Sequence, residues 1–252
     1  MRSPILYGVS YSPWSLRARW ALDHHHIVYE TRNYTPIFSA PLVRARTGRW
    51  RGRLSMPLLH ASDAVCADSW EILLWAEAHG AGPKLLPAPQ AEAVAAWHAV
   101  AEDICAAGRA LAAKRTLADR AARVEALPPF VPRALRSASA PIATLGAHFL
   151  AHKYGFSVDD TDGHRSTQVA RVATIRAAID KHGGAGLLGE PCWADVAVAL
   201  SLEFVSPHAT LVRHGPATRA AWTTTEAADP EVLAWRDRVI ATRPPRHRAS
   251  EA

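Results

Sequence analysis

The chain has 252 residues, 49% of them hydrophobic and 21% charged. That is room for one large or two small globular domains, and it excludes a wholly disordered chain. The net charge of +6 is spread over scattered arginines, with only four lysines and a single asparagine, Asn33. This pattern disfavours a phosphate-reading surface, leaving the Arg44–Arg53 loop and the C-terminal tail as the places where nucleic acid would bind. No apolar run reaches the ~18–20 residues of a bilayer span. The N-terminal stretch reads as a poor signal peptide. Cys66, Cys105 and Cys192 are too far apart for a disulfide framework or a close-spaced metal site, so a reducing, cytoplasmic setting is expected.

In chain order, residues 4–9 read as a buried strand. Ser12-Pro13 then opens a helix, since Ser caps and Pro suits the first turn. Trp14, Ala18, Ala21 and Leu22 share one face of it. His24, His25 and His26 close it, where positive charge suits the helix dipole. Consecutive histidines do not converge on one metal ion, and none is expected. Residues 27–32 form a second strand, 35–47 a helix or irregular segment, and 47–55 a basic loop. Residues 57–60 and 64–67 read as a hairpin. Asp68-Ser69 caps a helix with Ile72, Trp75, Ala76 and His79 on its apolar face, stopped by Gly80, Gly82 and Pro83.

Beyond Pro87 the chain is helical. Helices are expected over 89–116, 133–154, 164–182 and about 230–241, the 164–182 helix facing the core with Val169, Val172, Ala173, Ile175 and Ile179. Residues 195–205 are apolar all round and read as a buried central helix. Trp75, Trp97 and Trp235 fall at packing positions, and Cys66 at a buried strand position. Residues 243–252 read as a disordered basic tail. The implied organisation is an α/β unit over 1–80, a linker over 81–89 and an all-helical domain over 90–242.

Four pieces of sequence, in this order and spacing, resemble the glutathione transferase superfamily. They are the run from Ser12 to Leu22, similar to the active-site turn of the serine- and cysteine-type classes; Met56-Pro57-Leu58-Leu59; Asp68-Ser69; and Lys84-Leu85-Leu86-Pro87 with Trp97 following. The resemblance implies a thioredoxin-like N-terminal domain, a C-terminal helical bundle, a homodimer, and glutathione as co-substrate. It points to Ser12 as the hydroxyl beside the glutathione sulfur, with Ser10, Tyr11 and Ser15 as rivals nearby. It also implies that the Met56–Pro57 bond is cis and that Met56 pairs with the cysteinyl backbone of glutathione. Asp68 suits the ammonium of the γ-glutamyl end, and Ser69 with the helix N-terminus suits its carboxylate. One of Arg44, Arg46, Arg49, Arg51 and Arg53 is expected to meet the glycine carboxylate. Ser12 and Ser15 stand where thioredoxin-type proteins carry Cys-x-x-Cys, which disfavours dithiol redox chemistry. The family usually carries a Ser/Thr cap before its buried helix, and here Cys192 stands there ahead of Asp195, which predicts a cap weaker by ~1 kcal/mol. The expected activity is conjugation of glutathione to a small electrophile. The alternatives are a glutathione-assisted isomerase and a non-catalytic protein on the same fold.

Overall fold

Strand β1 (Ile5–Gly8) lies inside a four-stranded sheet of order β2-β1-β3-β4. This computed structural model describes residues 3–35, 39–128, 131–157 and 159–246. Strand β2 (Glu30–Asn33) runs parallel to β1, with Ile5 opposite Glu30. A parallel pair needs a crossover, and helix α1 (Pro13–His24) supplies it. Helix α2 (Ala40–Thr47) ends on Gly48 in the left-handed conformation, which suits glycine at that position. Strands β3 (Leu58–His60) and β4 (Val65–Cys66) form the expected hairpin, with β3 antiparallel to β1. Helix α3 (Ser69–His79) follows. This is the thioredoxin-like arrangement, and helices fill the rest of the chain.

Those helices are α4 (Ala91–Ala118), α5 (Arg120–Glu125), α6 (Ala140–Tyr154), α7 (Thr161–Lys181), α8 (Trp193–Ser201), α9 (Pro216–Trp222) and α10 (Pro230–Ala241). Helices α5 and α9 have no counterpart in the sequence reading. Asp119 ends α4 in an extended conformation and caps α5 through the amides of Ala121 and Ala122, so a short new helix starts just beyond the Ala-rich run. The 133–154 segment begins with a short 3-10 turn before α6. The buried face of α7 is Gln168, Val172, Ile175 and Ile179, while Val169 and Ala173, expected on that face, are exposed. Gln168 is accommodated because its side-chain amide donates to the Phe204 carbonyl at 3.0 Å. Helix α8 is buried all round, as its sequence implies. At its start a capping box forms: the Cys192 sulfur faces the Asp195 amide, and the Asp195 carboxylate accepts the amides of Cys192 (2.9 Å) and Leu187 (2.8 Å), so both ends of the box hold the helix entry.

Three other expectations need correction. His25 does not serve as a charged helix end, for it is buried and burial lowers its pKa despite Glu77 at 3.4 Å. His79 leaves the apolar face of α3 and pairs with Asp63 at 3.0 Å. The basic tail is docked as far as Arg246, whose guanidinium donates to the Tyr29 carbonyl at 3.0 Å and lies 5.0 Å from that ring. Residues 247–252 lie outside the described residues. No described helix is long and apolar enough to cross a membrane.

Helix α1 is buried on nearly every side, packed against α3 and α8 and reaching α4 through the side chains of Trp14 and Arg17. Its centre is Arg17, fully buried. The guanidinium donates to the Ala197 carbonyl (3.0 Å), the Ala101 carbonyl (3.2 Å) and Cys105 Sγ (3.3 Å), and it pairs with Glu102. Burial pushes Glu102 up, but Arg17, the Trp14 indole and His98 outweigh it and hold the carboxylate below its usual range. His98, one turn earlier on α4, accepts the Trp193 indole N–H at Nδ1, 3.2 Å away. Burial, reinforced by Arg17, pulls its pKa down to about 4.

Two outcomes follow. Arg17→Ala leaves the buried carbonyls of Ala101 and Ala197 without a donor and the part-exposed Glu102 without its partner, and its unfolding free energy in denaturant titrations should fall by about 2–4 kcal/mol. His98 prefers the neutral form on folding, so its contribution to stability is present above the ordinary histidine pKa of ~6.5 and is lost as pH falls toward 4. In an NMR titration of the folded protein the His98 ring should stay neutral down to about pH 5.

Candidate active site

The sheet brings the three expected contact regions to one end. Tyr7, near the C-terminal end of β1, pairs with Leu58 at the start of β3. Met56 and Pro57 therefore lie beside the turn from β1 into α1, where Ser12 sits. Cys66 at the end of β4 pairs with Leu59, so Asp68 and Ser69 emerge at that same end. The Met56–Pro57 bond is cis, as expected.

Ser12 is the N-cap of α1 by position, with extended backbone (φ −77°, ψ 127°) and Pro13 after it. Its amide donates to the Val9 carbonyl (3.1 Å), and its carbonyl accepts from the Leu16 amide (2.9 Å). Its side chain makes no capping hydrogen bond. The hydroxyl is thus half-buried at the positive end of a 12-residue helix, beside first-turn amides that have no intrahelical acceptor. Ser15 differs. It is fully buried, and its hydroxyl accepts the Val9 amide at 3.1 Å. A side chain on Gly8 would crowd that oxygen, its Cβ only 3.0 Å away, so glycine there leaves room for the serine. Ser10 is exposed, and its carbonyl accepts from Arg19 at 3.2 Å. Tyr11 lies edge-on to Trp222, ring centroids 5.8 Å apart.

Asp68 caps α3, one carboxylate oxygen accepting the amides of Trp70 (2.9 Å) and Glu71 (2.8 Å). Glu71 in turn accepts the Ala67 amide at 2.6 Å. Asp68 is exposed and Ser69 is buried beneath it. Arg44 organises the basic loop, donating to the carbonyls of Arg49 (2.6 Å) and Gly52 (2.8 Å). Arg46, Arg49, Arg51 and Arg53 are exposed.

The sequence reading missed the floor of this region. The Trp14 indole donates to Glu102 at 2.8 Å, 88 residues away in sequence. Trp14 meets Phe204 at 6.0 Å, and Phe204 stacks on Trp222 at 4.3 Å and 18°. The Arg109 guanidinium lies over Trp14 at 4.9 Å. A signal existed: His98, Glu102, Cys105 and Arg109 recur at helical spacing, a polar stripe along an otherwise apolar, Ala-rich helix. It reads as a solvated face until α1 is known to cover it.

The three cysteines are unpaired and buried. Burial pushes Cys66 and Cys192 up to about 11 and Cys105 to about 12. At neutral pH each is therefore a protonated, poorly nucleophilic thiol. Among the described residues no group of histidines, cysteines and acids is arranged to hold a metal ion.

Residues 11–79 match the family model of the glutathione S-transferase N-terminal domain. No curated protein sequence matches the chain. Its fold is similar to that of a glutathione S-transferase of Ceriporiopsis subvermispora solved in complex with glutathione, at a TM-score of 0.65 and 15% identity over 100% of both chains. It is also similar to a β-etherase of Sphingobium sp. strain SYK-6, at 0.60 and 17% identity over 96% of each chain. A glutathione transferase family member of Pseudomonas fluorescens Pf-5 with bound S-(propanoic acid)-glutathione matches at 0.54 and 18% identity, over 96% of this chain and 98% of that one. At these identities the likeness is one of fold.

The cap geometry gives a direct expectation. Asp68→Ala should lower unfolding free energy by about 1 kcal/mol, and Asp68→Asn by much less, because an amide oxygen still accepts the two α3 amides. Thermal melts of the two variants check it.

Proposed function

We propose that this chain, a member of the glutathione S-transferase superfamily, binds glutathione at the sheet end described above and transfers it to a small electrophile. The observation that carries the reading is the uncommitted Ser12 hydroxyl at the N-terminus of α1. A free thiol titrates near ~8.5, and only its thiolate is a strong nucleophile. A hydroxyl hydrogen bond and the positive helix end both favour the anion over the thiol. In this reading the thiol proton leaves to solvent. The thiolate then attacks an electrophilic carbon, a C–S bond forms, and the leaving group departs with its bonding pair. Ser12 donates to the sulfur and does not itself become bonded to substrate.

Met56 offers its backbone to the cysteinyl residue of glutathione. Asp68 pairs with the γ-glutamyl ammonium through the carboxylate oxygen that does not cap α3, and the buried Ser69, at the positive end of α3, supports the γ-glutamyl carboxylate. The high thiol pKa values leave no cysteine of the chain suited to act as the nucleophile, which favours a serine-type mechanism. A reducing, cytoplasmic setting suits three unpaired thiols. The homodimer belongs to the same reading and rests on the resemblance alone.

Ser12→Ala should lower glutathione-dependent turnover ten-fold or more, the loss of one charge-assisted hydrogen bond of ~1.5–3 kcal/mol. Because the side chain makes no cap, the melting temperature should stay unchanged, which separates this variant from an ordinary N-cap loss. Asp68→Asn should keep the fold and weaken glutathione binding in calorimetric titration by ten-fold or more. Full turnover in Ser12→Ala would remove the serine mechanism, and glutathione binding by the unaltered protein with no turnover of general electrophiles would leave a non-catalytic protein on this fold.

A further inference from the structure

Three cations converge on one aromatic ring at the α4–α6 side of the molecule. The Arg109 guanidinium carbon lies 3.8 Å from the Tyr154 ring centroid, Arg53 5.2 Å and the Lys153 ammonium 5.1 Å. They come from three separate stretches: α4, the basic loop before β3, and the end of α6. None pairs with a carboxylate among the described residues. Other arginines of the helical region do find acids: Arg171 meets Asp103 at 2.7 Å, and Arg176 meets Asp180 at 3.0 Å and Asp229 at 3.4 Å. The nearby acid on α4, Glu102, is committed to Arg17 and Trp14. Arg109 Nε is buried and has no hydrogen-bond partner. Like charges gathered around a ring repel one another, and cation–π contact offsets only part of that cost. Such a cluster is completed by an anion.

The cluster is continuous with the floor of the candidate site. Arg109 lies over Trp14, in the first turn of α1 behind Ser12. From Trp14 the aromatic run continues through Phe204 to Trp222, against which Tyr11 and His214 lie. Phe204 and Trp222 are buried behind Trp14, which is part-exposed beside a planar cation and suits a ligand that is aromatic at one end and acidic at the other.

We propose that Arg109, assisted by Arg53 and Lys153, selects an aryl acid as the second substrate, its carboxylate or sulfonate meeting these cations while its ring stacks along the Trp14 side. Arg109 is a specificity residue here and takes no part in bond making. The inference rests on the function proposed above for the identity of the first substrate, but the recognition of the acid can be measured without turnover.

The test compares 3,5-dinitrobenzoate with its neutral counterpart 3,5-dinitrobenzamide, each titrated by quenching of tryptophan fluorescence. The full chain should bind the acid at least ten-fold more tightly than the amide. Arg109→Gln should lose that preference, and Arg109→Lys should keep part of it. Equal affinity of the unaltered protein for the two compounds would overturn the proposal without recourse to any variant. So would a preference that survives in Arg109→Gln with a normal melting temperature. A loss of glutathione affinity in Arg109→Gln with the acid preference intact would assign the cation to glutathione instead and also overturn it. Turnover of 4-chloro-3,5-dinitrobenzoate with glutathione, against 4-chloro-3,5-dinitrobenzamide and corrected for the uncatalysed rates, reads the first substrate separately. Acid-selective binding with no conjugation of either compound would sustain Arg109 and defeat the transferase reading.

Discussion

The buried Arg17 guanidinium is the point on which the two halves of the molecule close. It sits mid-helix in α1, yet its partners lie on α4 and α8: the carbonyls of Ala101 and Ala197, the Cys105 sulfur and the Glu102 carboxylate. A charge without exposure to water needs these partners, so their absence would be costly. The requirement works in both directions. Helix α1 can seat only where α4 and α8 offer those acceptors, and Arg17 in turn, with Trp14 and His98, holds the Glu102 carboxylate below its usual range. The spacing of Trp14 and Arg17, three residues apart on one face, lets a single carboxylate hold both side chains. Glu102 thus fixes the first turn of α1 as well as its middle.

That first turn is where the proposed chemistry sits. With α1 immobilised at Trp14 and Arg17, the two serines of the turn fall into different roles. Ser15 points inward and satisfies the Val9 amide, which secures the bend leaving β1. Ser12 stands at the helix entry with its hydroxyl outside any cap. The sheet then does the rest by register, since β3 and β4 carry Met56 and Asp68 to the same end as Ser12. In the proposed reaction it is this placement, next to free amides and a fixed dipole, that would let a weakly polar hydroxyl serve a thiolate.

Much of this frame was legible in the amino-acid sequence. The alternation of strands and helices up to Gly82, the Ser12-Pro13 and Asp68-Ser69 helix starts, and the all-apolar α8 are local signals, and local physics produces them. Resemblance added the cis bond before Pro57. The unread parts have a common cause. Arg17 and the His98-to-Arg109 stripe look like solvated faces, since a charged residue at helical spacing ordinarily faces water. Only the docking of α1 against α4, contacts about 85 residues apart, turns them inward. Helix α5 was missed because Asp119 caps a short new helix just beyond the end of the Ala-rich run, without a composition change to mark it. The docked Arg246 shows the same limit, because a basic tail carries no sequence mark of the Tyr29 face it covers.

The central claim is that the α1 entry makes glutathione's sulfur anionic. The most direct measurement is the ionisation of the bound thiol, followed by ultraviolet thiolate absorbance of the glutathione complex across pH. In the unaltered protein the bound thiol should ionise a unit or more below its free value near ~8.5, and Ser12→Ala should return it most of the way. A bound thiol that titrates like free glutathione, or a lowered value that Ser12→Ala leaves in place, would contradict the account.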